Sequence, residues 1–132
     1  MGTTTIDYRT LPGTRAAVGR AGNHSVIADR PEGKAGGMDL GFNGGELLAL
    51  AIGGCFCNDM QAIADDMGVA IADLSVSVSI DFDGQPSRAT GARMRVDCTL
   101  ENGVDPVRLI ERAKGLTTIG NSLIAGIPVE IS

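Results

Sequence analysis

ELLALAIGGCFCNDMQAIADDMG, residues 46–68, is the stretch on which the fold turns. The pattern is helical over residues 46–67 and closes at Gly68, a residue suited to the left-handed position just past a helix end. Its first half, LLALAIGGCFC, is apolar all round, which predicts a helix buried on most sides rather than laid on a surface. Its second half regains polar positions. Upstream, RPEGKAGGMDLGFNGG (30–45) holds too many breakers for a helix and reads as a long loop. Short extended pieces precede it around residues 15–20 and 24–29.

Downstream the period changes from helical to two. In LSVSVSIDF (74–82), Leu74, Val76, Val78, Ile80 and Phe82 share one face and Ser and Asp the other. ARMRVDCTLE (92–101) repeats this, with Ala92, Met94, Val96, Cys98 and Leu100 inward. Joined by the polar loop DGQPSRATG (83–91), the two form an antiparallel hairpin with one wet face. The preceding helix is the natural cover for the dry one. Asp105 and Pro106 read as N-cap and first helical residue, with Gly115 closing that helix. TTIGNSLIAG (117–126) reads as a short further turn of helix and IPVEIS (127–132) as a last strand. The fold class is α+β: N-terminal strands, a long buried central helix, a hairpin, then helix and strand.

A chain of 132 residues is most simply one domain, residues 1–132. Aromatic residues make up 3% with no Trp, against 19 glycines. Side chains this small let elements approach closely, and a core so poor in bulk invites completion by a second copy, hence a homodimer. A net charge of −5 argues against non-specific binding to nucleic acid, which rests on Lys and Arg neutralising phosphates. It gives no attraction to anionic membranes. The uncharged apolar stretch 47–57 is about half of what spans a bilayer, and MGTTTIDYRT at the N-terminus has no signal-peptide pattern. The expectation is a soluble, cytoplasmic protein without membrane or nucleic-acid partners.

Three cysteines is an odd count and argues against a disulfide framework. Cys55 and Cys57 are two residues apart, so on a helix they point about 200° apart and cannot bridge. They make a poor metal clip for the same reason, and no second cysteine pair or nearby His completes a tetrahedral set. No metal or cofactor is expected. Gly53 and Gly54 before Cys55 admit two readings: close packing around a small buried thiol, or access for a ligand. A working thiol must reach the thiolate. Cys55 lies beyond the first turn, where the helix dipole acts, so a cation must come from elsewhere; His24 or an arginine are the candidates.

NGGELLALAIGGC (43–55) resembles the central-helix signature of the OsmC/Ohr family of osmotically induced and organic hydroperoxide resistance proteins. GNSLIAGIPVEI (120–131) is similar to the family's closing segment, and GRAG (19–22) to the strand carrying its active-site arginine. The resemblance covers nearly the whole chain. It implies an intertwined homodimer with interfacial sites, in which a thiolate reduces an organic hydroperoxide and is left as a sulfenic acid. Carried over by position, Cys55 is the peroxidatic thiol and Arg20, always charged, its activator. Two positions depart from the pattern. Gly45 stands where the hydroperoxide reductases have a glutamate, and the resolving cysteine falls near Thr117.

Cys98, on the dry face of its strand, reads as a structural thiol and Cys57 as a passenger. His24 reads as a surface residue, Glu46 as an early-helix carboxylate favoured by the dipole, Asn58 and Asp59 as solvating groups. Asp65 and Asp66 lie against the dipole and are explained only by solubility. The leading expectation is a one-cysteine thiol-dependent hydroperoxide reductase of oxidative-stress type, recycled by an external thiol. The alternative keeps the fold and binds a small apolar or acyl ligand in the same pocket.

Overall fold

In the computed structural model, which describes residues 2–132, the chain divides into two compact units, Met1–Leu48 and Ala49–Ser132. The first is a three-stranded antiparallel meander of β1 (Asp7–Thr10), β2 (Ala17–Ala21) and β3 (His24–Ala28). Gly22, with φ of +59°, turns β2 into β3, so that Ala21 pairs with His24. This is the glycine position of a two-residue hairpin. β1 was not foreseen: only four residues long and exposed throughout, it offers no alternation to read. Tyr8 lies opposite Gly19, and its ring fills the space a Cβ there would take.

The loop after β3 is as irregular as its sequence predicts, and it is held by one side chain. Asp29, 8% exposed, accepts the backbone N–H groups of Arg30 (2.8 Å), Met38 (3.1 Å) and Leu40 (3.1 Å). These amides, that of Leu40 foremost, hold its carboxyl below the usual carboxylate range. Gly41 passes so close to the Ile27 carbonyl that no side chain fits there. The loop ends in a reciprocal cap: the Glu46 amide donates to Asn43 Oδ1 (2.9 Å), and the Asn43 amide to Glu46 Oε1 (3.0 Å).

That cap opens α1 (Gly44–Asp66). The helix ends at Gly68, φ +69°, where the Gly68 amide donates to the Asp65 carbonyl and the Val69 amide to that of Ala64. This is the paired bonding of a glycine-terminated helix. Burial corrects one expectation. The buried residues Ile52, Gly53, Phe56, Met60, Ile63 and Ala64 form a single stripe, and Leu50, on another side, is 50% exposed. The helix is covered along one face, not most of its circumference, because a single hairpin and one helix are what this unit supplies to cover it. By length and composition alone α1 could cross a membrane. Here its buried stripe builds the core of the second unit.

β4 (Ile71–Asp83) and β5 (Arg88–Leu100) pair antiparallel with the expected faces, Leu74 opposite Cys98, Val76 opposite Val96, Val78 opposite Met94. The ladder is longer than the sequence suggests. Arg88, Ala89 and Gly91, read as loop, are paired, with Thr90 at a register shift between them, and only residues 84–87 turn. The core joins Phe56, Met60, Ile63 and Ala64 of α1 to Leu100, Leu109 and Ala113. A Cβ on Gly53 would lie 3.0 Å from the Val78 side chain, closer than an ordinary contact. Gly53 is therefore the close-packing glycine, whereas Gly54 faces open space.

α2 (Val107–Leu116) follows, with Asp105 Oδ1 accepting the Val107 amide at 3.0 Å. Gly115 does not end it, as expected; the helix runs on to Leu116 and breaks at Thr117, whose ψ of 119° is extended. α3 (Thr118–Ala125) starts at once and ends at Gly126, φ +84°. The expected last strand is not formed. Residues 127–132 have no ladder partner, and Val129 and Ile131 are 76% and 93% exposed. A strand exists through bonds to a neighbour, and among the described residues none lies beside this one.

Candidate functional site

The cysteine that the sequence singles out sits halfway along α1, on a flank of the buried stripe. Cys55 is half-buried, neighboured by fully buried Phe56 and exposed Gly54. Its sulfur has two polar partners. Sγ donates to Asp59 Oδ2 at 3.6 Å, and Thr117 Oγ1 donates to Sγ at 3.7 Å. Asp59 lies one turn along α1, at the spacing that brings two side chains onto one face. Thr117 comes from the junction of α2 and α3.

Thr117 is placed by the chain break it makes. Its backbone N–H donates to the Ala113 carbonyl (2.9 Å) and closes α2, while its position makes it the N-cap of α3. A threonine there ordinarily turns its hydroxyl onto an amide of the next helix, worth about 1 kcal/mol. In this chain it makes no such bond. The side chain, 6% exposed, gives its hydroxyl to the sulfur instead. Asn121 holds the junction from below, Nδ2 donating to the carbonyls of Lys114 and Gly115, both at 3.3 Å.

The other predicted residues fall as follows. Arg20 is exposed on β2, opposite Asp7 on one side and Ser25 on the other, and forms no ion pair among the described residues. His24 is exposed at the start of β3. Glu46 is spent on the α1 cap, in keeping with a non-catalytic early-helix carboxylate. Gly45 offers no side chain in that first turn. Cys57 is half-buried, and all three cysteines are free thiols. Cys98 packs against the core, and burial first, then the charge of Asp73, pushes its thiol up. That makes it a poor nucleophile.

Asp59 is the residue the sequence reading missed. It is half-buried and bonded to Cys55, not a solvating group; exposed Asn58 next to it is one. The signal was its spacing of four from the cysteine. Asp66 also has a partner, Arg112 Nη2 at 3.1 Å. Both side chains are exposed, so the pair contributes little. Chemically, the arrangement is a thiol between a proton acceptor and a hydroxyl donor, beside a glycine that leaves the approach open.

A family model described as OsmC-like protein matches residues 36–132. No curated protein matches by sequence. Among solved structures, an OsmC-like protein of unknown function from Vibrio cholerae superposes with a TM-score of 0.78 at 11% identity, covering 92% of this chain and 94% of that one. An organic hydroperoxide resistance protein OsmC from Legionella pneumophila gives 0.64 at 15% identity, with 93% and 90% covered. An organic hydroperoxide resistance protein from Elizabethkingia anophelis, with thiocyanate bound, gives 0.63 at 18% identity over 92% and 88%. At these identities the likeness is one of fold.

Proposed function

The chain belongs to the OsmC family, and from that premise we propose that it is a thiol-dependent hydroperoxide reductase acting on organic hydroperoxides. Cys55 is the peroxidatic thiol of a single OsmC-like domain, residues 1–132. Its sulfur attacks the terminal peroxide oxygen, the O–O bond breaks, an alcohol leaves and a sulfenic acid remains. The observation that carries this reading is the setting of Cys55: a half-buried thiol beside exposed Gly54, its sulfur held by two polar side chains. The names of the Legionella and Elizabethkingia relatives point to the same redox and stress theme.

Arg20 is the proposed activator, a fixed positive charge for the negative charge that develops on the sulfur and the departing oxygen during attack. The proposed assembly is a homodimer, supported by the apolar side chains this chain leaves in solvent, Ile124, Ile127, Val129 and Ile131 among them. Because Thr117 brings a hydroxyl and not a thiol to Cys55, the sulfenic acid is reduced by an external thiol. Two equivalents are consumed: the first forms a mixed disulfide and water, the second frees Cys55.

The test is turnover. Hydroperoxide consumption in the presence of a small thiol should fall to the uncatalysed rate in Cys55→Ser and drop by about 100-fold in Arg20→Ala, the low end of what a preorganised donor at a developing charge contributes. Undiminished turnover in Cys55→Ser would overturn the assignment. The same Thr117, with Gly45, favours a second reading, a binding protein for a small apolar or acyl ligand. In that case Cys55→Ser leaves ligand affinity unchanged and no turnover is seen in any variant.

A further inference from the structure

Resting on the reductase reading, we propose that Asp59 is the proton shuttle of Cys55 and that Thr117 holds the sulfur through the reaction. The geometry is a directed chain: the Thr117 hydroxyl donates to the sulfur at 3.7 Å, and the sulfur donates to the Asp59 carboxylate at 3.6 Å. Both residues have forgone the use their position suggests. Thr117 leaves α3 without a side-chain cap. Asp59 takes no ion-pair partner among the described residues, its polar contact being the thiol.

A carboxylate this close opposes a free thiolate, since two negative charges would face one another across a few ångströms. It does not oppose a thiol that loses its proton as it reacts. That proton passes to Asp59 as the sulfur–oxygen bond forms. The sulfur gives two electrons to the peroxide. Its terminal OH joins the sulfur and the O–O bond breaks. The departing alkoxide then takes from Asp59 the proton that began on the thiol. Thiol and hydroperoxide become sulfenic acid and alcohol, and Asp59 is returned to its carboxylate. The Thr117 hydroxyl stays on the sulfur throughout, in the place where a second thiol would resolve the sulfenic acid, so that the acid persists until the external thiol arrives.

The experiment uses the full-length reduced protein, mixed rapidly with cumene hydroperoxide and quenched with a sulfenic-acid trap. The Cys55 adduct is quantified by peptide mass spectrometry. Asp59→Asn, nearly isosteric, should form the adduct about 100-fold more slowly than the parent, the lower range of what a positioned acid–base group supplies. Asp59→Glu should recover much of that rate. Formate added to Asp59→Ala should restore part of it while leaving the parent unchanged. Thr117→Val should be slower and Thr117→Ser close to the parent. An Asp59→Asn protein that reacts as fast as the parent, or faster, overturns the shuttle. Alkylation of Cys55 by iodoacetamide in the same variants separates the two readings. If alkylation depends on Asp59 but the parent is not oxidised by hydroperoxide, the reductase reading falls and the proton-acceptor role stands. If the parent is oxidised and Asp59→Asn keeps pace, the reverse holds.

Discussion

At the scale of the residue, position 117 brings a hydroxyl rather than a second thiol to Cys55. Thr117 Oγ1 stands 3.7 Å from Cys55 Sγ, and a disulfide needs the two sulfurs at about 2.04 Å, a gap that side-chain rotation and a small shift of the helix junction can close. Thr117→Cys should therefore lose two titratable thiols per chain with one equivalent of organic hydroperoxide and regain both with a dithiol. The parent should lose one. Persistence of both thiols in the variant would contradict the placement of Thr117. The other prediction at this scale concerns Cys98. Burial and Asp73 push its thiol up, so iodoacetamide should modify it more slowly than a free cysteine near neutral pH, and Asp73→Asn should speed the reaction. The resemblance pointed to Cys55 and, as the place of a resolving cysteine, to position 117 beside it, but not to the hydroxyl–sulfur contact itself. That contact depends on where the α2–α3 break falls, and Gly115, a sound terminator in the sequence, drew the break two residues early.

At the scale of the element, the ends of α1 were more legible than its surroundings. Gly68 announced the C-terminus because only a left-handed residue closes a helix that way, and Gly68→Ala should cost about 1 kcal/mol in unfolding free energy. Asn43→Ala, which removes the accepting half of the reciprocal cap, should cost a similar amount. Phe56→Ala, at a fully buried position of the core, should cost about 3–5 kcal/mol. Denaturant melts of the three variants rank them, and a Phe56→Ala protein no weaker than Asn43→Ala would contradict the core described here. The period-two pattern fixed both faces of the β4–β5 hairpin. It fell short at residues 88–91, where Arg88, Ala89 and Gly91 pair through their backbone without any apolar alternation to betray it. What the apolar run of α1 could not disclose was how much of it this chain alone would cover.

For the molecule as a whole, the unsatisfied features share a character: an apolar helix covered on one side, a terminal segment of strand-like alternation without a partner, and isoleucines in solvent. They are the physical content behind the proposed dimer, and sedimentation should give twice the chain mass at micromolar concentration. Stability should fall with acid. Asp29 binds its proton less readily in the folded chain than in the unfolded one, because folded backbone amides serve the carboxylate. Its contribution is complete above the ordinary carboxylate range and is lost as pH drops through the lower, folded value. Asp81, held low by the hydrogen bond and charge of Arg93, acts in the same sense. Asp29→Asn should melt lower at neutral pH and show a shallower acid limb. The central claim remains chemical. The reduced protein is treated with an organic hydroperoxide and a sulfenic-acid trap, and the adducts are mapped on all three cysteines. Fast, selective trapping at Cys55, with Cys57 and Cys98 unmodified on the same timescale, is the predicted result; slow or indiscriminate oxidation would contradict it.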